Sequence, residues 1–204
     1  MIKNEIIYER TELDAEYDFV GIIDALDEED RARFGITEEL KKLLLNEGLT
    51  TATALVCAED ELLGALDLFY DKAVAGERFM LHFVAHGNDA GIQAGNDFVT
   101  WAAIRPFLQK INTATDETLL LNMSTCKGLH GIKIVDADGS YPFFGLIGAK
   151  QDLLVGDALE ANRIMYKKWL NDLPVQKLVP ETNLDIGKEV LFAISSEGYR
   201  KLRR

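Results

Sequence analysis

Phe79-Met80-Leu81-His82-Phe83-Val84-Ala85 runs directly into His86-Gly87, and Leu119-Leu120-Leu121-Asn122-Met123-Ser124-Thr125 runs into Cys126-Lys127-Gly128. Each stretch is an apolar, strand-like run that delivers one residue of nucleophilic catalysis at its C-terminal end, beside or near a glycine. Ligands of open α/β sheets bind outside the carboxyl ends of the strands. Forty positions separate His86 from Cys126, room for one helical crossover between parallel neighbours. The pair therefore predicts two parallel strands that present a histidine and a cysteine on the same edge.

Outward from these stretches, strand-like and helical runs alternate. Residues 17–23 (YDFVGII), 51–58 (TATALVCA), 78–85, 118–125, 143–149 (FFGLIGA) and 188–194 (KEVLFAI) read as six strands. Residues 37–46 open on Thr37, carry Glu38 and Glu39 in the first turn and end before Gly48, which are helix start and stop signals. Residues 59–73, 97–111 and 157–170 have helical apolar spacing, with Pro106 a potential kink. Such alternation predicts an α/β layered domain with a mainly parallel six-stranded sheet, and right-handed crossovers would put helices on both faces. One domain is expected over residues 1–204, with its core at about 17–196.

Composition narrows the function classes. The chain has 204 residues, 48% of them hydrophobic and 27% charged, with a net charge of −12. A phosphate backbone demands a basic face, so no nucleic-acid partner is expected. No run of 18 apolar residues occurs, so no membrane span is expected. Residues 1–5 lack the basic start and apolar core of a signal peptide, and a cytoplasmic location is expected. The two cysteines, Cys57 and Cys126, do not suggest a disulfide framework. Cys57 reads as a buried thiol of the second strand. Neither G-x-x-x-x-G-K-[ST], G-x-G-x-x-G nor G-x-S-x-G is present, which removes the usual nucleotide and serine-hydrolase signatures.

Thiol-based peptide hydrolysis needs a thiolate, an imidazole that manages protons, and hydrogen-bond donors for the developing oxyanion. Cys126 suits the nucleophile and His86 the acid/base. The backbone N–H groups of Gly87 and Cys126 suit the oxyanion, since Gly87 has no side chain to block a carbonyl from its amide. Gly128 and Gly131 are expected to keep the following loop open, and residues 127–141 are expected to be exposed and open to self-cleavage. A metal site built from His82, His86, Cys126 and His130 is the competing reading. Along a strand, His82 and His86 lie ~13 Å apart at ~3.3 Å per residue. Zinc–nitrogen bonds are ~2 Å, so one ion cannot bridge both. His82 is then a core histidine, and no metal or other cofactor is expected. A catalytically silent binding module on the same fold is the remaining alternative.

The block Leu81-His82-Phe83-Val84-Ala85-His86-Gly87 resembles the strand and His-Gly of caspase-like cysteine peptidases, particularly the CHAT-domain branch. Residues 119–128 (LLLNMSTCKG) resemble the matching strand and cysteine. Residues 145–149 and 157–162 with Tyr166 resemble the next strand, acidic loop and helix of that family. The resemblance implies a caspase–haemoglobinase-like three-layer sandwich, peptide-bond hydrolysis across the strand ends, and no obligatory third catalytic residue. Where many caspases carry Gln-Ala-Cys, this chain reads Ser124-Thr125-Cys126, which moves it from aspartate specificity toward CHAT-like relatives.

Ser124, Asp157 and Arg33 are the candidate substrate-binding residues. Arg33-Phe34-Gly35 resembles the caspase Arg-x-Gly that binds a substrate aspartate. Asp157 reads either as a pocket carboxylate selecting Lys or Arg, or as a helix N-cap. Asp24, Asp27, Glu28, Glu29 and Asp30 read as a solvated acidic loop whose spacing does not match an EF-hand. A basic or small uncharged residue before the cut is the resulting expectation. The basic C-terminus, residues 199–204, reads as an exposed solubilising tail, with a docking arm for an acidic partner as the alternative. The expected partners are a protein or peptide substrate and an activating protein or a second copy of the chain.

Overall fold

The computed structural model describes residues 16–136, 139–169 and 175–203. Residues 1–15 and Leu170 lie outside the described residues. Six strands form one sheet: β1 (Phe19–Asp24), β2 (Thr50–Leu55), β3 (Phe79–Val84), β6 (Leu120–Ser124), β7 (Gly145–Gly148) and β8 (Phe192–Ser195). Their order is β2-β1-β3-β6-β7-β8. All neighbours are parallel except β7 and β8, so the sheet is mixed and mainly parallel. A separate antiparallel hairpin, β4 (Gly91–Ala94) and β5 (Asp97–Thr100), lies between β3 and β6 in the chain.

Both faces of the sheet are covered, which is why its central strands are apolar at nearly every position. One core packs Phe19, Ile23, Leu81, Phe83, Leu121 and Met123 under α3 (Glu59–Val74) and α4 (Trp101–Ala114). The other packs Val20, Ile22, Met80, Val84 and Leu120 under α2 (Ile36–Asn46), α5 (Val155–Trp169) and α6 (Val175–Ile186). Alternation of side chains with period two assigns each set to its own face. Phe19, Phe69 and Phe79 cluster on the first face, with Phe19 and Phe79 stacked at 4.9 Å.

All six expected strands occur. Two helical expectations change. Residues 97–100 are strand β5 rather than the start of a helix. Gly95 takes a positive φ of 55° at the first position of the loop, the conformation that two-residue hairpins favour. Thr100 then caps α4 by accepting the Ala103 N–H at 3.2 Å, and α4 runs through Pro106. Residues 28–34 form a short helix, α1 (Glu28–Phe34), where a loop is expected; Asp27 caps it by accepting the Asp30 N–H at 2.8 Å.

The segment after Cys126 is not an open loop either. Gly128–Ile134 forms a 3-10 helix that buries Leu129, Ile132 and Ile134. Beyond it, Arg105 pairs with Asp136 at 2.6 Å, and Arg200 donates to the carbonyls of Asp136 and Gly139. Arg200 belongs to α7 (Ser196–Leu202) and stacks 3.9 Å from the Tyr141 ring. The basic C-terminal stretch is thus largely a packed helix, not a tail. Among the described residues no helix is long and apolar enough to cross a membrane.

A polar cluster sits inside the second core. His82 on β3 lies opposite Asn122 on β6. The Tyr166 hydroxyl on α5 lies 2.7 Å from His82 Nδ1, and Asn122 donates to Asn162 Oδ1 at 2.7 Å. All four side chains are fully buried. Burial pushes the His82 pKa down to about 3 and the Tyr166 hydroxyl up. His82 is the core histidine that strand geometry implies.

Between pH about 3 and the unfolded value of 6.5 the unfolded chain binds a proton that native His82 does not. Stability conferred by His82 is therefore complete above 6.5 and falls as the pH drops toward 3, by about 2 kcal/mol at pH 5. Urea unfolding at pH 7 and pH 5 is expected to show this loss in the wild type and a smaller one in His82→Phe. Equal losses in the two proteins would remove His82 as the source.

Candidate active site

Register decides where the two candidate catalytic residues stand. Asp24 pairs with Val84 and Val84 pairs with Ser124, so β1, β3 and β6 end level with one another. His86 and Cys126 each lie two residues past that line, beyond the ends of adjacent central strands. Gly87 joins the two segments: a Cβ at Gly87 would lie 3.1 Å from Thr125 Oγ1 and 3.2 Å from the Cys126 carbonyl oxygen. Only a residue without a side chain fits there without shifting the nucleophile segment.

The backbone on each side is pinned. The Gln93 N–H donates to the His86 carbonyl at 2.9 Å, and the Asn88 N–H donates to the Gly91 carbonyl at 3.0 Å. These bonds flank the Gly87–Ile92 bridge as a non-hydrogen-bonded pair, which leaves the Gly87 N–H outside that ladder. Past the nucleophile, Lys127 takes a left-handed φ of 55° and turns the chain. The Lys127 N–H then donates to the Gln151 carbonyl at 2.9 Å, and the Leu129 N–H donates to the Ala149 carbonyl at 3.0 Å. A third bond runs from the Leu153 N–H to Cys126 Sγ at 3.3 Å. The same Sγ lies 3.8 Å from the Leu153 carbonyl oxygen, to which the thiol donates. Cys126 is half-buried.

His86 faces Asp30. Nε2 lies 2.7 Å from Asp30 Oδ2, with the imidazole 48% and the carboxylate 23% exposed. Among the described residues no hydrogen bond joins the imidazole to the thiol. Catalytic hydrogen bonds commonly tighten only once substrate is bound.

The acidic run is therefore not a uniformly solvated loop. Asp24 is buried, accepts from Thr37 Oγ1 at 2.7 Å and pairs with Arg31 Nε at 3.3 Å. Arg31 also donates to the Leu26 carbonyl at 2.6 Å and to the Asp24 carbonyl at 3.3 Å. Burial acts to lower the Arg31 pKa, but the Cys57 sulfur and the Asp24 carboxylate offset it and hold the value above that of ordinary arginine.

The remaining candidates make other contacts. Arg33 stacks 5.2 Å from the ring of its neighbour Phe34, while the arginine that reaches the strand ends is Arg31. Asp157 is the third residue of α5, not its N-cap, and pairs with Lys188 at 2.6 Å. Ser124 closes β6, and its side chain lies outside the described residues. Cys57 is exposed just past β2, rather than buried within it, with its sulfur 3.8 Å from an Arg31 nitrogen. Burial lowers the His130 pKa, Lys133 and Lys127 act in the same direction, and Asp89 opposes them. Among the described residues no three His, Cys, Asp or Glu side chains come together as a metal site.

Asp30 and Leu153 are the two groups that sequence reading misses. Asp30 had a signal in Asp27 as a cap before three acids, which marks a helix start. Leu153 acts through its backbone, which no residue pattern encodes. No protein-family model matches the chain, and no curated protein does.

Gly128 offers a direct test of how closely the nucleophile turn is packed. A Cβ there would lie 2.6 Å from the Met123 carbonyl oxygen, whereas one at Gly156 in α5 meets nothing within 4 Å. Gly128→Ala is expected to cost about 1–3 kcal/mol of stability. Gly156→Ala is expected to be neutral or stabilising by up to about 1 kcal/mol. Denaturant unfolding of both variants checks the contrast, and an unaffected Gly128→Ala would contradict the packing described.

Proposed function

We propose that the protein is a cysteine endopeptidase in which Cys126 is the nucleophile and His86 the acid/base. The observation that carries this reading is the level ending of β3 and β6, with Gly87 lying against the Thr125 side chain and the Cys126 carbonyl. The caspase–haemoglobinase fold and a CHAT-like relationship belong to the same proposal. They rest on the two sequence blocks together with the mainly parallel, six-stranded α/β architecture.

The reaction begins when the Cys126 proton passes to His86 and the thiolate attacks the substrate carbonyl carbon. The carbonyl oxygen gains charge and is held by the N–H groups of Gly87 and Cys126. Collapse of this intermediate breaks the C–N bond, and the imidazolium gives its proton to the departing amine. Water, deprotonated by His86, then attacks the thioester carbon and releases the carboxylic acid and the thiol. The Leu153 N–H, 3.3 Å from Cys126 Sγ, donates to the sulfur before attack and again after the acyl group leaves. Asp157, Arg33 and Ser124 remain the substrate-binding candidates. Lys188 partly neutralises Asp157, which favours a small uncharged side chain over a basic one at that subsite. Control is proposed to act in trans, through a protein partner or self-association.

A peptide-library cleavage assay, with and without calcium, tests this reading. The wild type is expected to turn over at least one peptide class, and Cys126→Ala to fall to background. His86→Ala is expected to lose at least about 100-fold in kcat/KM. A thiol-reactive peptide warhead is expected to label Cys126 in preference to the exposed Cys57, as peptide mapping would reveal. If no peptide is cut and the warhead spares Cys126, the enzyme reading fails and a non-catalytic binding module takes its place.

A further inference from the structure

We infer that Asp30 is a positioning residue that fixes the tautomer of His86 and so makes Nδ1 the nitrogen that exchanges protons with Cys126. The inference deepens the peptidase reading and rests on it for the role of Cys126. An ionised carboxylate can only accept hydrogen bonds. With Asp30 Oδ2 2.7 Å from Nε2, that nitrogen carries the proton. In the neutral ring Nδ1 is then the free base.

Both partners are held from behind. The Asp30 N–H donates to the carboxylate of Asp27, the cap of α1. The next residue, Arg31, anchors α1 into the ends of β1 and β2 through the carbonyls of Leu26, Asp24 and Val56 and the buried Asp24 carboxylate. The Gly35 N–H closes the helix onto the Arg31 carbonyl at 3.1 Å. Opposite, the His86 backbone is tied to β4 by the Gln93 N–H. A side chain held at both ends of its hydrogen bond keeps one ring orientation, and misplacement of a catalytic group by about 1 Å can cost about 100-fold in rate.

The test pairs a spectroscopic reading with kinetics. The chain has three histidines, so ¹⁵N imidazole spectra at neutral pH are simple to assign with His86→Ala. Wild-type His86 is expected as the Nε2–H tautomer, and Asp30→Ala as a mixture of both. Turnover by Asp30→Ala is expected to fall about 10- to 100-fold in kcat, with KM within about twofold. Asp30→Asn keeps an acceptor for Nε2–H and is expected to restore the tautomer and most of the rate. If Asp30→Ala does not fold, Asp30→Ser supplies the same readings. Unchanged tautomer and kcat in the folded variant would overturn the inference while peptide cleavage still stands. A shifted tautomer in a protein that cuts no peptide would instead uphold the positioning and remove the peptidase reading.

Discussion

Parallel pairing of β3 with β6 is the constraint on which the other features of the molecule depend. Both strands are buried on both faces, so neither tolerates a one-residue slip, which would carry every side chain to the opposite face. The buried polar residues reinforce the same register. His82 and Asn122 are opposite one another, and each finds its partner on α5, in Tyr166 and Asn162. A shifted strand would leave these groups without hydrogen bonds, at a cost of about 1–3 kcal/mol for each. The register that satisfies the core also sets His86 and Cys126 level at the strand ends.

The segments beyond the strand ends turn that alignment into a site. The hairpin β4–β5 holds the His86 backbone, while the loop after β7 holds the nucleophile turn through the carbonyls of Ala149 and Gln151 and the N–H of Leu153. Helix α1 approaches from the third strand end. Its Arg31 donates to the Asp24, Leu26 and Val56 carbonyls at the ends of β1 and β2, and its Asp30 meets the imidazole. Three separate chain segments therefore converge on one edge, each fixed chiefly by hydrogen bonds to backbone groups, which are strong only where water is excluded.

The readable parts of the fold are those whose burial is uniform. β1, β3, β6 and β7 appear as apolar runs because helices cover both sides of each, and α2 announces itself by its first-turn acids and Gly48, whereas Thr37, read as its start, is its second residue behind a Gly35 cap and donates to Asp24. The misread parts are short or ambiguous. Residues 97–100 continue smoothly into α4 in composition, and only the Gly95 turn and Thr100 separate strand from helix. Cys57 comes after an apolar run yet falls past the end of an edge strand, where its side chain reaches solvent. Residues 128–134 look loop-like because of Gly128 and Gly131, but Gly128 permits close packing against Met123 of β6, and the segment is helical.

The amino-acid sequence by itself determined the alternating elements, the mainly parallel sheet and the ends of β3 and β6 just before His86 and Cys126, because apolar periodicity and turn residues act over a few neighbours. Tertiary structure alone decided which carboxylate meets the imidazole, that Arg31 rather than Arg33 enters the strand ends, and that Leu153 offers its N–H to the sulfur. Asp30 and His86 are 56 positions apart, and Leu153 and Cys126 are 27 apart. Contacts over such separations arise only when packed helices and paired strands set the distances, so no local pattern of residues records them.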